Sequence, residues 1–186
     1  MGRITVAEYL TLDGVTEDPG HTGEFAHRGW TMPYWNDELA EFQSELFFAS
    51  DALLLGRTTY EEFAASWPSR SGDPFTDRMN SMPKLVASTS LREPLEWNAT
   101  LLEGDVADAV AKLRADRNLL VYGSGTLVST LIQHDLVDVY RRMLYPLMLA
   151  GGERFFREGG EPASLTLTDA KTTSTGVVVL TYESAN

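Results

Sequence analysis

The chain contains no cysteine. Disulfides, thiolate nucleophiles and Cys-ligated zinc are thereby excluded. Histidine is nearly as scarce. His21, His27 and His134 are scattered along the chain, without the paired outer partners that orient a metal-bound imidazole, so no metal site is expected. No apolar run approaches the roughly 18 residues of a membrane span. The opening MGRITVAEYL alternates in character and lacks the charged start and continuous apolar core of a secretion signal, which leads to the expectation of a cytoplasmic protein. Positive charge is also short: 15 Lys and Arg against 27 Asp and Glu leave a net charge of −12. Such a surface repels nucleic acid and anionic lipid at long range, so neither is expected as a partner. An anionic ligand would have to be held locally, by backbone N–H groups and a few arginines.

What is present is enough apolar material for a core. With 186 residues and 43% hydrophobic content, the composition suits one compact domain over residues 1–186. Neither an internal repeat nor a low-complexity linker interrupts it. Ile4, Val6, Tyr9 and Leu10 mark a first strand. Residues 11–35 form a long irregular stretch with Asp13-Gly14, Pro19-Gly20, Gly23, Gly29 and Pro33. Loops of this length in compact domains are usually functional or disordered, and Phe25, Trp30, Tyr34 and Trp35 argue for order.

A helix capped by Asn36 or Asp37 follows, with Leu39, Phe42, Leu46 and Phe47 as its buried stripe. Ala52 to Leu55 reads as a strand buried on both faces. Gly56 ends it, and Thr58 or Thr59 is expected to cap a helix from Tyr60 to Ala65. Residues 66–83 read mostly as loop. Leu85 to Ala87 is a strand and Leu101-Leu102 a short one. Asp105 caps a helix bearing Val106, Val110 and Leu113; Leu119 to Tyr122 is a strand and Leu127 to Gln133 a helix. Residues 136–149, 164–170 and 177–182 then read as strands without intervening helices. This order predicts an α/β fold with a mainly parallel sheet finished by antiparallel C-terminal strands.

Two glycine turns stand at strand ends. Gly123-Ser124-Gly125-Thr126 follows a buried strand and opens a helix. Free N–H groups and the helix dipole there favour an anion, and glycine allows close approach and positive φ. Thr126 could cap the helix and donate to a ligand. The same turn could also be a plain connection, and the position of the third glycine of the dinucleotide fingerprint holds Val128. Gly56-Arg57-Thr58-Thr59 repeats the arrangement with an arginine able to fork onto phosphate oxygens. A third strand ends in Ser88-Thr89-Ser90. Ligands of open α/β sheets bind outside the carboxyl ends of the strands, so three anion-friendly ends suggest one extended polyphosphate ligand.

These stretches carry a family resemblance. TLDGV (11–15), RGWTMPYW (28–35), LLLGRTTYEEFAASWP (53–68), DRMNSMPKLVAST (77–89), VYGSGTLVSTLIQHDLVD (121–138) and GGERFF (151–156) resemble the dihydrofolate reductase-like superfamily, in particular its bacterial branch related to the reductase domain of riboflavin biosynthesis. The resemblance implies a three-layer α/β/α fold and an NADPH-dependent reductase. Its substrate would be a small heterocycle, as in 5-amino-6-(5-phosphoribosylamino)uracil reductase or dihydrofolate reductase. It implies that Gly56, Arg57, Thr58 and Thr59 meet the pyrophosphate and the adenosine-side phosphate. Ser88 and Thr89 would meet the 2′-phosphate or adenosine, and Gly123, Ser124, Gly125 and Thr126 would cradle the pyrophosphate and approach the nicotinamide. The loop from Asp13 to Tyr34 would cover the nicotinamide, and a homodimer is expected. Tyr145 stands where relatives often have histidine.

Folate-reducing relatives use a carboxyl on the first helix, and Glu38 aligns best with it, ahead of Asp37 and Glu41. Trp30, Tyr34 and Trp35 could wall a flat heterocycle, although core packing explains aromatics as often. Ser124 lacks the histidine–carboxylate order of a hydrolase. Two other readings stay open: a non-catalytic NADPH-binding or regulatory module, and an enzyme holding another phosphorylated nucleotide or a flavin.

Overall fold

A computed structural model describes residues 1–20, 23–155 and 162–185; His21 and Phe156 lie outside them. Eight strands form one sheet: β1 (Ile4–Thr11), β2 (Ala52–Gly56), β3 (Lys84–Ala87), β4 (Ala99–Leu101), β5 (Leu119–Tyr122), β6 (Val139–Tyr145), β7 (Leu165–Thr172) and β8 (Val178–Ser184). Their order is β4-β3-β2-β5-β1-β6-β8-β7. The pairings among β1 to β6 are parallel. β8 runs antiparallel to both β6 and β7. The expected α/β architecture with an antiparallel C-terminal edge is therefore present.

Five α-helices among the described residues cover the sheet: α1 (Asp37–Phe48), α2 (Arg57–Ser66), α3 (Pro74–Ser81), α4 (Val106–Leu113) and α5 (Gly125–Gln133). Strand alternation divides the core. Ala7, Tyr9, Leu53, Leu55, Leu120 and Tyr122 point to one face and pack with Leu39, Phe42, Leu46 and Phe47 of α1 and Met79 of α3. Ile4, Val6, Leu54, Leu119 and Val121 point to the other and pack with Val110 of α4 and Leu127, Val128 and Leu131 of α5. Central parallel strands covered on both faces must be apolar on both, which is why LLL and LLV carry no alternation.

Several boundaries differ from the sequence reading. Residues 66–83 contain α3. Asp73 caps it, accepting from Thr76 N at 2.9 Å and Thr76 Oγ1 at 2.7 Å, and Pro74 sits at its start. Asp-Pro opens a helix as readily as a turn, and Met79, buried against α1, decides for the helix. α2 begins at Arg57, with Gly56 at the capping position, so Thr58 and Thr59 lie in its first turn and cap nothing. α5 likewise starts at Gly125 after Ser124, without a side-chain cap from Thr126. The strand expected at Leu101-Leu102 is β4, Ala99–Leu101.

No helix among the described residues is long and apolar enough to cross a membrane. No group of three or more potential metal-ligating side chains occurs among them either.

A candidate active-site cleft at the carboxyl ends of the strands

β2 and β5 are direct parallel neighbours, with Leu54 beside Val121. Their carboxyl ends, and the turns that follow, must therefore lie side by side. The two glycine corners meet as a result. Ser124 Oγ accepts from Gly56 N at 2.9 Å and donates to Thr59 Oγ1 at 3.1 Å. β3 adjoins β2 on the other side and brings Ser88 and Thr89 to the same rim. Gly56, Arg57, Thr58, Thr59, Ser88, Thr89, Gly123, Ser124, Gly125 and Thr126 all line one cleft of about 1480 Å³.

Two of the helix starts that border this cleft carry no side-chain cap. α1, α3 and α4 are each closed by a side chain: Asn36, Asp73 and Asp105. α2 and α5 have no side-chain cap, and their N-termini face the cleft. The leading N–H groups of a helix need a partner, and an anion satisfies them while meeting the positive end of the dipole. Gly123 has φ +61°, and a Cβ there would lie 3.3 Å from Thr59 Oγ1. Around Gly125 a Cβ would meet nothing within 4 Å, so its missing side chain leaves space open to a ligand. Arg57 is about half exposed and holds only a loose 3.8 Å contact with Glu61, so it can turn to a phosphate. Ser88 is more committed than its position suggests: its Oγ accepts from Ser90 N and Leu91 N.

The long loop after β1 forms the opposite wall. Trp30 Nε1 donates to Glu17 O at 2.9 Å, Thr31 Oγ1 to Pro19 O at 2.6 Å, and Thr16 N to Glu153 O at 3.0 Å. The Asp13 carboxylate anchors the loop base by accepting from Thr11 Oγ1 at 2.6 Å and Ala150 N at 2.8 Å. Of the three aromatic residues expected in the pocket, only Trp35 lines the cleft. Trp30 and Tyr34 pack edge-on against the buried Tyr145, at 5.2 and 5.7 Å. Trp30 is a core residue and Tyr34 a half-buried one packed against the core, because a fully buried tyrosine ring needs apolar neighbours on every side.

Glu38 is not in the cleft. Its carboxylate accepts from Ser174 Oγ at 2.6 Å, Ser174 N at 2.7 Å and Asn36 Nδ2 at 2.8 Å, tying the start of α1 to the β7–β8 turn. The Ser174 hydrogen bonds hold its pKa below the ordinary carboxylate value. An exposed acid held ionised and facing away is unsuited to give a proton to a bound ligand.

Glu8, by contrast, is among the carboxyls that line the cleft. It is 3% exposed, accepts from Tyr9 N at 3.1 Å, and sits opposite Arg142 across the β1–β6 register. Burial raises its pKa to about 7, against the lowering effects of Thr16 and Arg142. Burial also lowers Arg142, to about 10, with its guanidinium over the Phe155 ring at 4.0 Å. Desolvation thus outweighs attraction at both groups. The sequence signal was a lone acid inside an otherwise apolar strand, ITVAEYL. Beside Glu8, Tyr9, Tyr122 and Gln43 also line the cleft. An acidic pair, Asp18 of the loop and Glu62 of α2, lies elsewhere on its wall. Glu62 is raised by burial and then by the Asp18 charge. That pair disfavours an anion there, which leaves the glycine corners as the place for one.

The comparisons with known proteins agree with this architecture. The RibD C-terminal domain family matches residues 3–180. The uncharacterized protein YyaP of Bacillus subtilis is 26% identical over 97% of this chain and 94% of its own. Among solved structures, a putative riboflavin biosynthesis protein from Shewanella sp. PV-4 superposes with TM-score 0.78 at 22% identity, covering 99% of both chains. A pyrimidine reductase-like protein from Corynebacterium diphtheriae gives 0.71 at 12% identity, over 100% of this chain and 92% of that one. A Thermotoga maritima deaminase and 5-amino-6-(5-phosphoribosylamino)uracil reductase gives 0.66 at 15% identity, with this chain spanning 57% of it. The family model spans nearly the whole chain, and the chain belongs to the RibD C-terminal domain family.

Proposed function

We propose that this protein is an NADPH-dependent reductase of a small heterocyclic substrate. The observation that supports the reading most is the convergence of two uncapped helix N-termini, their glycines and Arg57 on one cleft. That donor set fits a dinucleotide pyrophosphate, with the open space at Gly125 admitting it close to the backbone. Arg57, with Thr89 on the neighbouring strand end, suits a 2′-phosphate, which calls for positive charge and donors. The pyrimidine reductase-like and uracil reductase relatives favour a pyrimidine or a related ring as substrate.

NADPH, when bound, supplies the hydride; the chain supplies position and a proton. Thr16 to Gly20, Thr31, Met32 and Trp35 border the cleft on the loop side, where they would limit the access of water to the reacting atoms. Glu8 takes the role the resemblance assigns to Glu38: a carboxyl on the cleft wall that still carries its proton near neutral pH, within the range useful to a general acid.

Titration of the protein with NADPH and NADH, followed by tryptophan fluorescence, tests the cofactor. Indifference to both removes the reading. Arg57→Ala is expected to weaken NADPH by roughly tenfold, as for loss of one charge-assisted phosphate contact, and NADH by much less. Equal losses would show that Arg57 does not select the phosphorylated cofactor.

A further inference from the structure

We infer that a second copy of this chain docks on the outer face of β6, β8 and β7, on the α5 side of the sheet, face to face about a two-fold axis. The inference is independent of the reductase reading. The antiparallel register sets Tyr140 beside Tyr182 and Leu167 in one row, and Arg142 beside Leu180 and Ala170 in the next. Side chains directly opposite in a ladder share a face, so these rows form one surface. Its inner margin is core. Tyr140 is buried in the same cluster as Leu127 and Leu131 of α5, and Leu144 and Tyr182 pack against that cluster half-buried. Its outer margin is open: Leu165 is 38% exposed and Leu167 50%. β7 alternates accordingly. Leu165, Leu167 and Ala170 lie on this face, while Thr166, Asp169 and Lys171 lie on the other. Such alternation marks a strand with one covered face. No helix follows α5 among the described residues, so none is supplied to cover this one.

Charge favours a second copy as the occupant. With a net charge of −12, two copies repel one another over most of their surfaces. The rows on this face contain no acid, and their one cation, Arg142, is 6% exposed and packed over the Phe155 ring. Two copies can meet here without setting like charges together, whereas a basic partner finds no carboxylate to pair with. Size agrees. Three strands of seven or eight residues span roughly 25 by 15 Å, the scale of apolar patch that marks an interaction site. A two-fold contact uses the patch twice, which reaches the lower range of specific interfaces, below about 1,200 Å² in total. The free edge of β7 carries a register shift between Leu167 and Asp169, and such bulges obstruct the addition of a further strand. The two sheets therefore stack rather than continue one another.

Sedimentation velocity on the full chain, from about 1 µM to about 500 µM, reads the association. The mass is expected to rise toward that of two chains, with a Kd in the micromolar range. Raising salt from about 0.05 M to about 0.5 M is expected to tighten the dimer several-fold, by screening the repulsion between two acidic bodies. Leu165→Lys and Leu167→Lys are each expected to raise the Kd by about 30-fold, since a two-fold contact meets every substitution twice. Thr166→Lys adds the same charge to the opposite face and is expected to stay within about twofold of wild type. Both leucines are exposed in the single chain, so thermal unfolding of the dilute variants should match wild type. The inference is overturned if the chain stays monomeric at the highest concentration, or if the leucine variants associate like wild type. It also falls if Thr166→Lys breaks the dimer as strongly, which would indicate strand addition at the edge, or if salt dissociates it, which would indicate paired charges. One leucine variant that fails to fold leaves the other to decide. If both lose stability when dilute, the face is covered from within the chain and no second copy docks there.

Discussion

Replacing Gly125 with leucine is expected to abolish NADPH binding while leaving the fold intact. Gly125 opens α5 with ordinary backbone angles, and a Cβ there would touch nothing within 4 Å. Leucine is the better helix former, by up to about 1 kcal/mol in a helix interior, so thermal unfolding should occur at or above the wild-type temperature. The same side chain would occupy the space through which a phosphate reaches the leading N–H groups of α5. Losing two charge-assisted hydrogen bonds, at about 1.5–3 kcal/mol each, corresponds to a fall in affinity of roughly 100-fold or more. Gly123 cannot give so clean an answer. Its φ of +61° and its contact with Thr59 mean that any side chain there strains the turn itself, by about 1–2 kcal/mol. A Gly125→Leu protein that unfolds normally and still binds NADPH within threefold of wild type would place the cofactor elsewhere.

Glu8→Gln is expected to alter the pH dependence of stability by about 3 kcal/mol. The Glu8 carboxyl has a folded pKa of about 7 against an ordinary 4.5. The folded state thus keeps a proton that the unfolded chain gives up from about pH 4.5 upwards. The resulting contribution to stability is fully present below pH 4.5 and is lost as the pH rises to about 7. Glutamine has nothing to lose in this window. Arg142, at about 10, stays charged throughout, so the loss of the Glu8 carboxylate beside it shifts the variant's stability by a constant. Urea unfolding of both proteins from pH 4.5 to pH 8 should show the variant gaining on the wild type steadily up to pH 7 and then holding level. A difference independent of pH would mean that Glu8 titrates normally. The same ionisation is expected to appear as wild-type turnover that falls above pH 7, because only the protonated carboxyl can act as an acid.

These two residues illustrate how differently the site could be read from the chain. The place of Gly125 at a strand-to-helix turn was legible because it is set locally: a buried four-residue strand, a turn with positive φ and a helix succeed one another within a dozen residues. The GRTT corner was visible for the same reason, although its helix starts earlier than Thr58 or Thr59 suggested, since glycine at the cap leaves no side-chain signal. α3 was hidden because Asp73-Pro74 is ambiguous until Met79 finds its place in the core. Trp30 and Tyr34 could not be separated from Trp35 by type. Their roles depend on Tyr145, which lies more than a hundred residues away in the chain and is fully buried.

The sequence by itself determined the alternation of strand and helix, the antiparallel finish, the absence of cysteine chemistry and the existence of two glycine corners suited to anions. Each follows from short-range periodicity, backbone conformation or composition. Only the tertiary structure decided which of Glu8 and Glu38 lines the cleft. Glu38 and Glu8 are both glutamates beside apolar residues. One is held outward by Ser174, 136 residues further on, and the other is enclosed opposite Arg142 by the pairing of β1 with β6. Protonation depends on solvation and on the charges and donors around a carboxyl, and in a parallel sheet those neighbours come from distant parts of the chain.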